Sequence, residues 1–277
     1  MKIARVFPRR TSASPDDSLV FFTPPPRIGL PEIDEVHVSV AFTYDMQRAE
    51  DLVYQWETVG VPVKMGGPAF NEAGGEFIPG MYMKQGFTIT SRGCPNKCWF
   101  CQVWHRENGL QELDIKDGWI IQDDNLLSCS DQHIKAVFEM LKTQKHRPIF
   151  SGGLEAKLLK PWHVELLREV NPSEMYFAYD TPDDYEPLVE AGKLLQGADF
   201  TLKSRKCMCY VLIGYKGDTF ETAEKRLKDT IKAGFMPFAM LYKDKAGSEN
   251  KEWRRFQREW ANKTIVGSKI KEATNDK

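Results

Sequence analysis

Three cysteines crowd into one short stretch of the chain and form its strongest chemical signal. Cys94, Cys98 and Cys101 follow one another as Cys-x3-Cys-x2-Cys in TSRGCPNKCWFCQVW, and they are half of the six cysteines in the sequence. Gly93 and Pro95 beside them predict a loop, whereas cysteines that only pack are usually scattered along buried faces. Three thiolates on one loop can hold a metal centre and leave one coordination position open for an external ligand.

Two other roles of the triplet stay open. His105 lies shortly after Cys101 and is a candidate fourth ligand of zinc, although structural zinc sites usually pair two knuckles that are well separated in sequence. A disulfide role fits poorly, because the opening MKIARVFPRRTSASPDD has no apolar run typical of a secretory signal. The spacing therefore favours an iron–sulfur cluster.

The triplet, with aromatic Phe100 directly before its third cysteine, resembles the signature of the radical S-adenosylmethionine superfamily. The resemblance covers about residues 86–242. It implies that Cys94, Cys98 and Cys101 bind one 4Fe–4S cluster, whose open iron takes the amino and carboxylate groups of S-adenosylmethionine. It further implies reductive cleavage to a 5′-deoxyadenosyl radical that acts on a substrate the sequence does not reveal. A flavodoxin- or ferredoxin-like electron donor is the expected partner.

The resemblance also assigns residues to the S-adenosylmethionine pocket. Phe100 is expected to contact the adenine, and Asp180 to accept from the ribose hydroxyls or else to cap the next helix. The amino group is expected at a carboxylate-bearing strand end, because carboxylates form strong charge-assisted hydrogen bonds with an ammonium group. Two elements compete for that role: Asp123-Asp124-Asn125 after one predicted strand, and Gly152-Gly153 with Glu155 after the next.

Alternating apolar runs and helical patterns predict an α/β fold. Nearly continuous apolar strands, each followed by a helix or loop, predict a parallel sheet, and six such units predict a partial (β/α)6 barrel of the radical S-adenosylmethionine type. Ligands of such sheets bind at the carboxyl ends of the strands, where polar and glycine-rich residues cluster in this sequence. The predicted strands cover 86–90, 119–124, 148–153, 175–180, 207–214 and 237–242.

Residues 1–85 predict a small separate unit. A strand at 35–42, a helix from Asp45 and a strand at 61–65 form a βαβ pattern, in which His37 is expected to be an ordinary face residue. The turn Gly66-Gly67-Pro68 resembles the last part of a cobalamin-binding Rossmann domain. No Asp-x-His-x-x-Gly element is present, so we interpret the unit as truncated and Rossmann-like. A cobalamin-dependent radical methyltransferase is therefore an alternative function, and methylthio transfer a weaker one.

Residues 243–277 predict a helical extension. Trp253, Phe256 and Trp260 fall at helical spacing, and we expect this aromatic stripe to dock on the core. The cysteines outside the triplet are expected to be buried small hydrophobic residues. They are Cys129, Cys207 and Cys209.

Composition limits the classes of partner. A formal net charge of −1 predicts no general attraction to nucleic acid or to anionic membranes, and no apolar run reaches the length of a membrane span. We therefore expect a cytoplasmic enzyme with neither a membrane nor a nucleic-acid partner. A function from a different class, a zinc-stabilised binding protein without turnover, remains the alternative.

Overall fold

In this computed structural model, the short apolar runs form strands and helices that belong to two units of the chain. The structure describes residues 1–72, 74–244, 247 and 250–275. One unit is built mainly from Met1–Gly118, and the other from Trp119–Asp244 and the helices that follow.

In the first unit, alternating side chains give a small parallel sheet one apolar and one polar face. Val36 and Val38 pack with Leu52 and Trp56 in a buried core, since residues two apart on a strand share a face. The strands pair in the order β2-β1-β3-β4, and every pairing is parallel. The elements are β1 (Ile3–Val6), β2 (Val20–Phe21), β3 (Glu35–Ser39), α1 (Met46–Trp56) and β4 (Val63–Gly66).

The predicted strand–helix–strand pattern is present as β3, α1 and β4, but it is only part of this sheet. The sequence interpretation missed β1 and β2. β1 has four residues and β2 has two, and a long polar and proline-rich segment separates them. Such short strands are stabilised by pairing in the sheet, so the local pattern of apolar residues does not predict them.

The remainder of the first unit carries the cysteine triplet on a loop. The predicted strand at 86–90 is a shorter strand, and the next two strands pair antiparallel in a two-stranded ribbon. The loop with the three cysteines connects that ribbon's first strand to a helix of one turn. These elements are β5 (Phe87–Thr88), β6 (Ser91–Arg92), α2 (Val103–Arg106) and β7 (Gln111–Glu112).

The second unit is a parallel sheet with helical connections, as the alternating pattern predicted. Its strands are hydrogen-bonded in the order β8-β9-β10-β11-β12, with every neighbouring pair parallel. The elements are β8 (Ile120–Ile121), α3 (Asp131–Thr143), β9 (Ile149–Phe150), α4 (Pro161–Val170), β10 (Glu174–Ala178), α5 (Tyr185–Gln196), β11 (Cys207–Ile213), α6 (Phe220–Lys232), β12 (Met236–Leu241), α7 (Lys251–Ala261) and α8 (Lys263–Asn275).

Local signals explain where these helices begin and end. The hydroxyl of Ser130 accepts from the His133 amide at the start of α3, and the hydroxyl of Thr219 accepts from the Thr222 amide at the start of α6. Gly234 follows α6 with a φ of 96°, a conformation that favours glycine. The three cysteines outside the triplet are buried as predicted, and burial raises the pKa of Cys207 to about 12.

The aromatic stripe of α7 packs on the sheet edge, which confirms the predicted docking. Trp260 is fully buried, and Trp253 lies with its ring centroid 4.3 Å from that of Phe220. The Gln257 amide donates to the Ala239 carbonyl of β12 at 3.4 Å. Among the described residues, no helix has the length and apolar character needed to cross a bilayer.

Candidate functional site

The cysteine loop is held in a compact turn by its own backbone and by one indole. The Cys101 amide donates to the Cys98 carbonyl at 3.0 Å, and the Trp104 indole donates to that same carbonyl at 3.0 Å. The Val103 amide approaches the Cys101 sulfur at 3.5 Å as a donor. This contact helps to hold the Cys101 side chain in place at the start of α2.

Residues on either side anchor the loop. Gly93 has a φ of 82°, and a Cβ at this position would lie 2.0 Å from the Gly109 carbonyl oxygen, so no larger residue fits without a backbone shift. Glu107 is buried, and its carboxylate pairs with Arg106 at 2.9 Å and accepts from the Gly74 amide at 3.4 Å. The loop is therefore attached to a rigid frame at both ends.

The loop supplies three thiol groups, the donor type that a three-thiolate centre requires. Cys94, Cys98 and Cys101 are partly exposed, and none of the six cysteines, all within the described part of the chain, forms a disulfide. In the part of the chain that the structure describes, no group of three or more His, Cys, Asp and Glu side chains is arranged to hold a metal ion. A metal centre here would draw the three sulfurs together as it binds, because metal binding and local folding are coupled.

The two competing strand-end elements of the second unit turn out to be neighbours. β8 and β9 pair in parallel, so 123–125 and 152–155 follow adjacent strands. The Asn125 side-chain amide donates to the Glu155 carboxylate at 2.6 Å, and Asn125 is buried. Lys157 also lies 3.7 Å from the Glu155 carboxylate, on its exposed side. The two elements therefore form one cluster of strand-end residues.

Gly152 has a packing role at this cluster. A Cβ on Gly152 would lie 2.0 Å from the Asp123 carbonyl oxygen, because the chain after β9 passes directly over the chain after β8. Asp123 is buried beside it, while Asp124 is partly exposed. Gly153 has a φ of 108° and open space around it. The Gly-Gly pair is thus explained by close backbone approach and by a left-handed turn.

Asp180 lies two residues after the end of β10, and its carboxylate does not cap the following helix. Thr181 is the N-cap of the turn at 182–184 that leads into α5, and the Asp184 carboxylate accepts from the Thr181 amide at 2.7 Å and from the Asp180 amide at 3.1 Å. The Asp180 carboxylate instead accepts from the Leu212 amide of β11 at 2.9 Å. Burial raises the pKa of Asp180 to about 7, and the nearby Asp184 carboxylate adds to the shift. A carboxyl that titrates near neutral pH at a strand end is a candidate for proton transfer.

Asp180 should make the protein less stable as the pH rises from about 4 to about 7. The folded protein holds the Asp180 proton up to a pKa of about 7, whereas the unfolded chain releases it near 3.8. The folded state therefore binds more protons across this window, and the free energy of unfolding falls by up to about 4 kcal/mol as the pH rises. Urea unfolding of the wild type and of Asp180→Asn between these pH values measures the effect, since asparagine keeps the acceptor for Leu212.

The difference in free energy of unfolding between the wild type and Asp180→Asn isolates the contribution of Asp180. Burial lowers the pKa of His163 to about 4, so His163 produces the opposite slope, but it does so equally in both proteins. Relative to Asp180→Asn, the wild type should lose stability towards pH 7. A difference that stays constant across the window would show that Asp180 ionises normally.

A buried ion pair holds the turn after β11, and sequence reasoning did not find it. The Asp218 carboxylate accepts from the Gly214 amide at 2.8 Å and from Arg226 at 2.8 Å. Arg226 also donates to the Leu212 carbonyl at 2.9 Å. The side chains of Asp218 and Arg226 are 0% and 10% exposed. The pair fixes the end of β11, the strand that also binds Asp180.

Three further residues or turns named from the sequence are His105, the turn at Gly67 and Phe100. His105 is exposed, and its ring centroid lies 3.5 Å from that of Trp104. Gly67, in the turn that resembles a cobalamin-binding domain, has a φ of 119° and would place a Cβ 2.7 Å from the Val40 carbonyl oxygen. Packing within the small sheet therefore accounts for that turn. Phe100 packs edge-on against Trp99 at 5.3 Å, within the cysteine loop.

Comparison with known proteins adds no family assignment. No model of a protein family matches the chain, and a search of curated proteins also finds no match.

Proposed function

We propose that this protein is a radical S-adenosylmethionine enzyme that binds one 4Fe–4S cluster through Cys94, Cys98 and Cys101. The observation that carries the proposal is the presence of three partly exposed thiols on one anchored loop, outside any disulfide. Three cysteines hold three irons of a cube and leave the fourth iron for another ligand. The parallel sheet of the second unit supports the proposal, because a partial (β/α)6 barrel would be built from such strands.

Hydrogen bonds within the loop hold the cysteines in position. The Val103 amide donates towards the Cys101 sulfur, and the Trp104 indole holds the Cys98 carbonyl so that the turn keeps its shape. When bound, the cluster would supply one electron to the sulfonium of S-adenosylmethionine and so generate a 5′-deoxyadenosyl radical. Phe100 is the proposed contact for the adenine, as the resemblance implies.

The cluster of strand-end residues in the second unit is the proposed site for the amino group of S-adenosylmethionine. Asp123 and Asp124 carry carboxylates there, and the Asn125 amide holds the Glu155 carboxylate in a fixed orientation. An ammonium group needs several oxygen acceptors, and a carboxylate held at a defined angle binds it at little entropic cost. Asp180 remains the proposed acceptor for the ribose hydroxyls.

An electron donor and a substrate complete the proposed reaction. A flavodoxin- or ferredoxin-like protein is the proposed source of the electron, because the chain has no second cysteine motif for another cluster. The substrate class is set by side chains at the ends of the strands.

The S-adenosylmethionine site can be tested with Glu155→Gln and Asp124→Asn. Both substitutions keep the shape of the side chain and remove its charge, and glutamine at 155 keeps an acceptor for Asn125. Each should weaken S-adenosylmethionine binding by about 1–3 kcal/mol, the value of a hydrogen bond to a charged group. Isothermal titration of anaerobically reconstituted protein measures the loss.

A matched control is Glu190→Gln on α5, because Glu190 is 67% exposed and forms a surface salt bridge with Lys193. It should bind S-adenosylmethionine as the wild type does, and the iron content of all three variants should be unchanged. Normal binding by both Glu155→Gln and Asp124→Asn would place the pocket elsewhere, with the cluster itself unaffected.

A further inference from the structure

Three titratable side chains lie in a line on the polar face of the small N-terminal sheet. His37 is the middle member, and its Nδ1 lies 2.5 Å from the Tyr82 hydroxyl. Its Nε2 lies 3.3 Å from the Glu35 carboxylate. Glu35 and His37 are two apart on β3 and so share a face, while Tyr82 comes from the segment that covers that face. The line therefore runs from a phenol through an imidazole to a carboxylate.

The charges around His37 favour a proton on Nε2, the ring nitrogen that faces Glu35. Glu35 is buried and ion-paired with Lys64, whose ammonium holds the pKa of Glu35 below its ordinary value. Glu35 is thus an anion, and an anion next to Nε2 favours a proton on that nitrogen. Nδ1 then presents a lone pair to the Tyr82 hydroxyl, since a neutral imidazole has one donor and one acceptor.

Tyr82 combines a protonated phenol with a built-in proton acceptor. Burial raises the pKa of Tyr82, and the Glu35 charge raises it further, so the phenol keeps its proton at neutral pH. The side chain is nevertheless 41% exposed. A solvent-facing phenol that already donates to an imidazole can lose an electron to a reagent in solution and its proton to the imidazole together.

Two further charged residues, Arg5 and Lys64, lie next to His37 on the neighbouring strands. Arg5 is the register neighbour of His37 on β1, and Lys64 is its neighbour on β4. Arg5 binds the carbonyls of Gly80 and Met81 at 3.1 and 3.2 Å and pairs with Asp17. These contacts hold the covering segment, and with it the Tyr82 ring, which stacks on the His37 ring at 6.0 Å. The phenol is therefore fixed next to its acceptor.

We propose that Tyr82 is a redox-active residue, a site of reversible one-electron oxidation that passes its phenolic proton to His37. The electron goes to a one-electron oxidant in solution, and the O–H bond of Tyr82 breaks. The proton forms a bond to Nδ1 of His37, and the resulting imidazolium faces the Glu35 carboxylate. One electron from a one-electron reductant in solution, together with the proton from His37, restores the phenol. The inference does not depend on the function proposed above.

Photogenerated tris-bipyridyl ruthenium(III), an outer-sphere one-electron oxidant, tests the proposal on the full chain. Freeze-quench EPR should detect a neutral tyrosyl radical in the wild type, and Tyr82→Phe should remove most of it. Tyr54→Phe is the matched control, because Tyr54 is 76% exposed and yet should contribute little. A radical that persists in Tyr82→Phe would overturn the proposal.

His37→Asn separates proton transfer from a purely structural hydrogen bond. Asparagine still offers an acceptor to the phenol, but it is not a base at neutral pH. Radical formation at Tyr82 should slow by about tenfold or more, while thermal unfolding stays close to that of the wild type. An unchanged rate of radical formation would show that His37 only holds the covering segment in place through a hydrogen bond, and the proposal would then be wrong.

Discussion

Replacing Cys94, Cys98 or Cys101 by alanine is expected to abolish iron–sulfur cluster assembly. A cube held by only two thiolates loses a protein ligand and a second iron becomes exposed, so the effect of each substitution should be complete. Iron and acid-labile sulfide in reconstituted wild-type protein should each approach about four per chain. In each of the three variants both should fall close to zero, and the broad brown absorption should disappear.

Cys129→Ala is the matched control for these variants. Cys129 is also a cysteine outside any disulfide, but it is buried and distant in sequence from the loop. Its substitution should leave the iron content unchanged and cost about 1–2 kcal/mol of stability through lost packing. If all three loop variants kept their iron, the cysteine loop would not be the metal site.

Replacing Asp218 by asparagine should destabilise the fold more than any surface charge change. The substitution leaves the Arg226 guanidinium buried without its counter-ion, which typically costs about 3–5 kcal/mol. It also weakens the acceptor for the Gly214 amide, so the turn after β11 should loosen. Urea unfolding followed by circular dichroism measures the loss, and hydrogen exchange of the residues around Gly214 locates it.

The exposed pair of Glu190 and Lys193 provides the comparison. Its nitrogen–oxygen distance of 2.7 Å is similar to that of Asp218 and Arg226, but both side chains are 67% exposed. Glu190→Gln should therefore cost at most about 0.5 kcal/mol. A cost below about 1 kcal/mol for Asp218→Asn would mean that water reaches Arg226 and that burial does not govern this pair.

Long periodic segments were predictable from sequence, because their stability follows from their own pattern. Ile134, Val137, Phe138 and Leu141 recur at helical spacing in the sequence and are all buried on one face of α3, and the side chains of Ser130 and Thr219 cap α3 and α6. The order of strands and helices after Trp119 also follows directly from the alternation of apolar runs and amphipathic helices.

Contacts between residues distant in sequence were not predictable. The pairing of Asn125 with Glu155 depends on the parallel register of β8 and β9, so the sequence left two competing elements where there is one cluster. Asp180 was considered as a helix cap, but Thr181 is the N-cap of the turn that leads into α5, and the Asp184 carboxylate reaches back to the Thr181 amide. The contact between His37 and Tyr82 likewise requires the chain to fold back over 45 residues.

Cleavage of S-adenosylmethionine by the reduced protein tests the central claim most directly. Anaerobically reconstituted protein, reduced with dithionite and mixed with S-adenosylmethionine, should slowly release 5′-deoxyadenosine and methionine in equal amounts, as measured by liquid chromatography. The Cys98→Ala variant should release neither. Stoichiometric zinc that survives reconstitution, together with no 5′-deoxyadenosine from the wild type, would contradict the account and favour a zinc-stabilised binding protein.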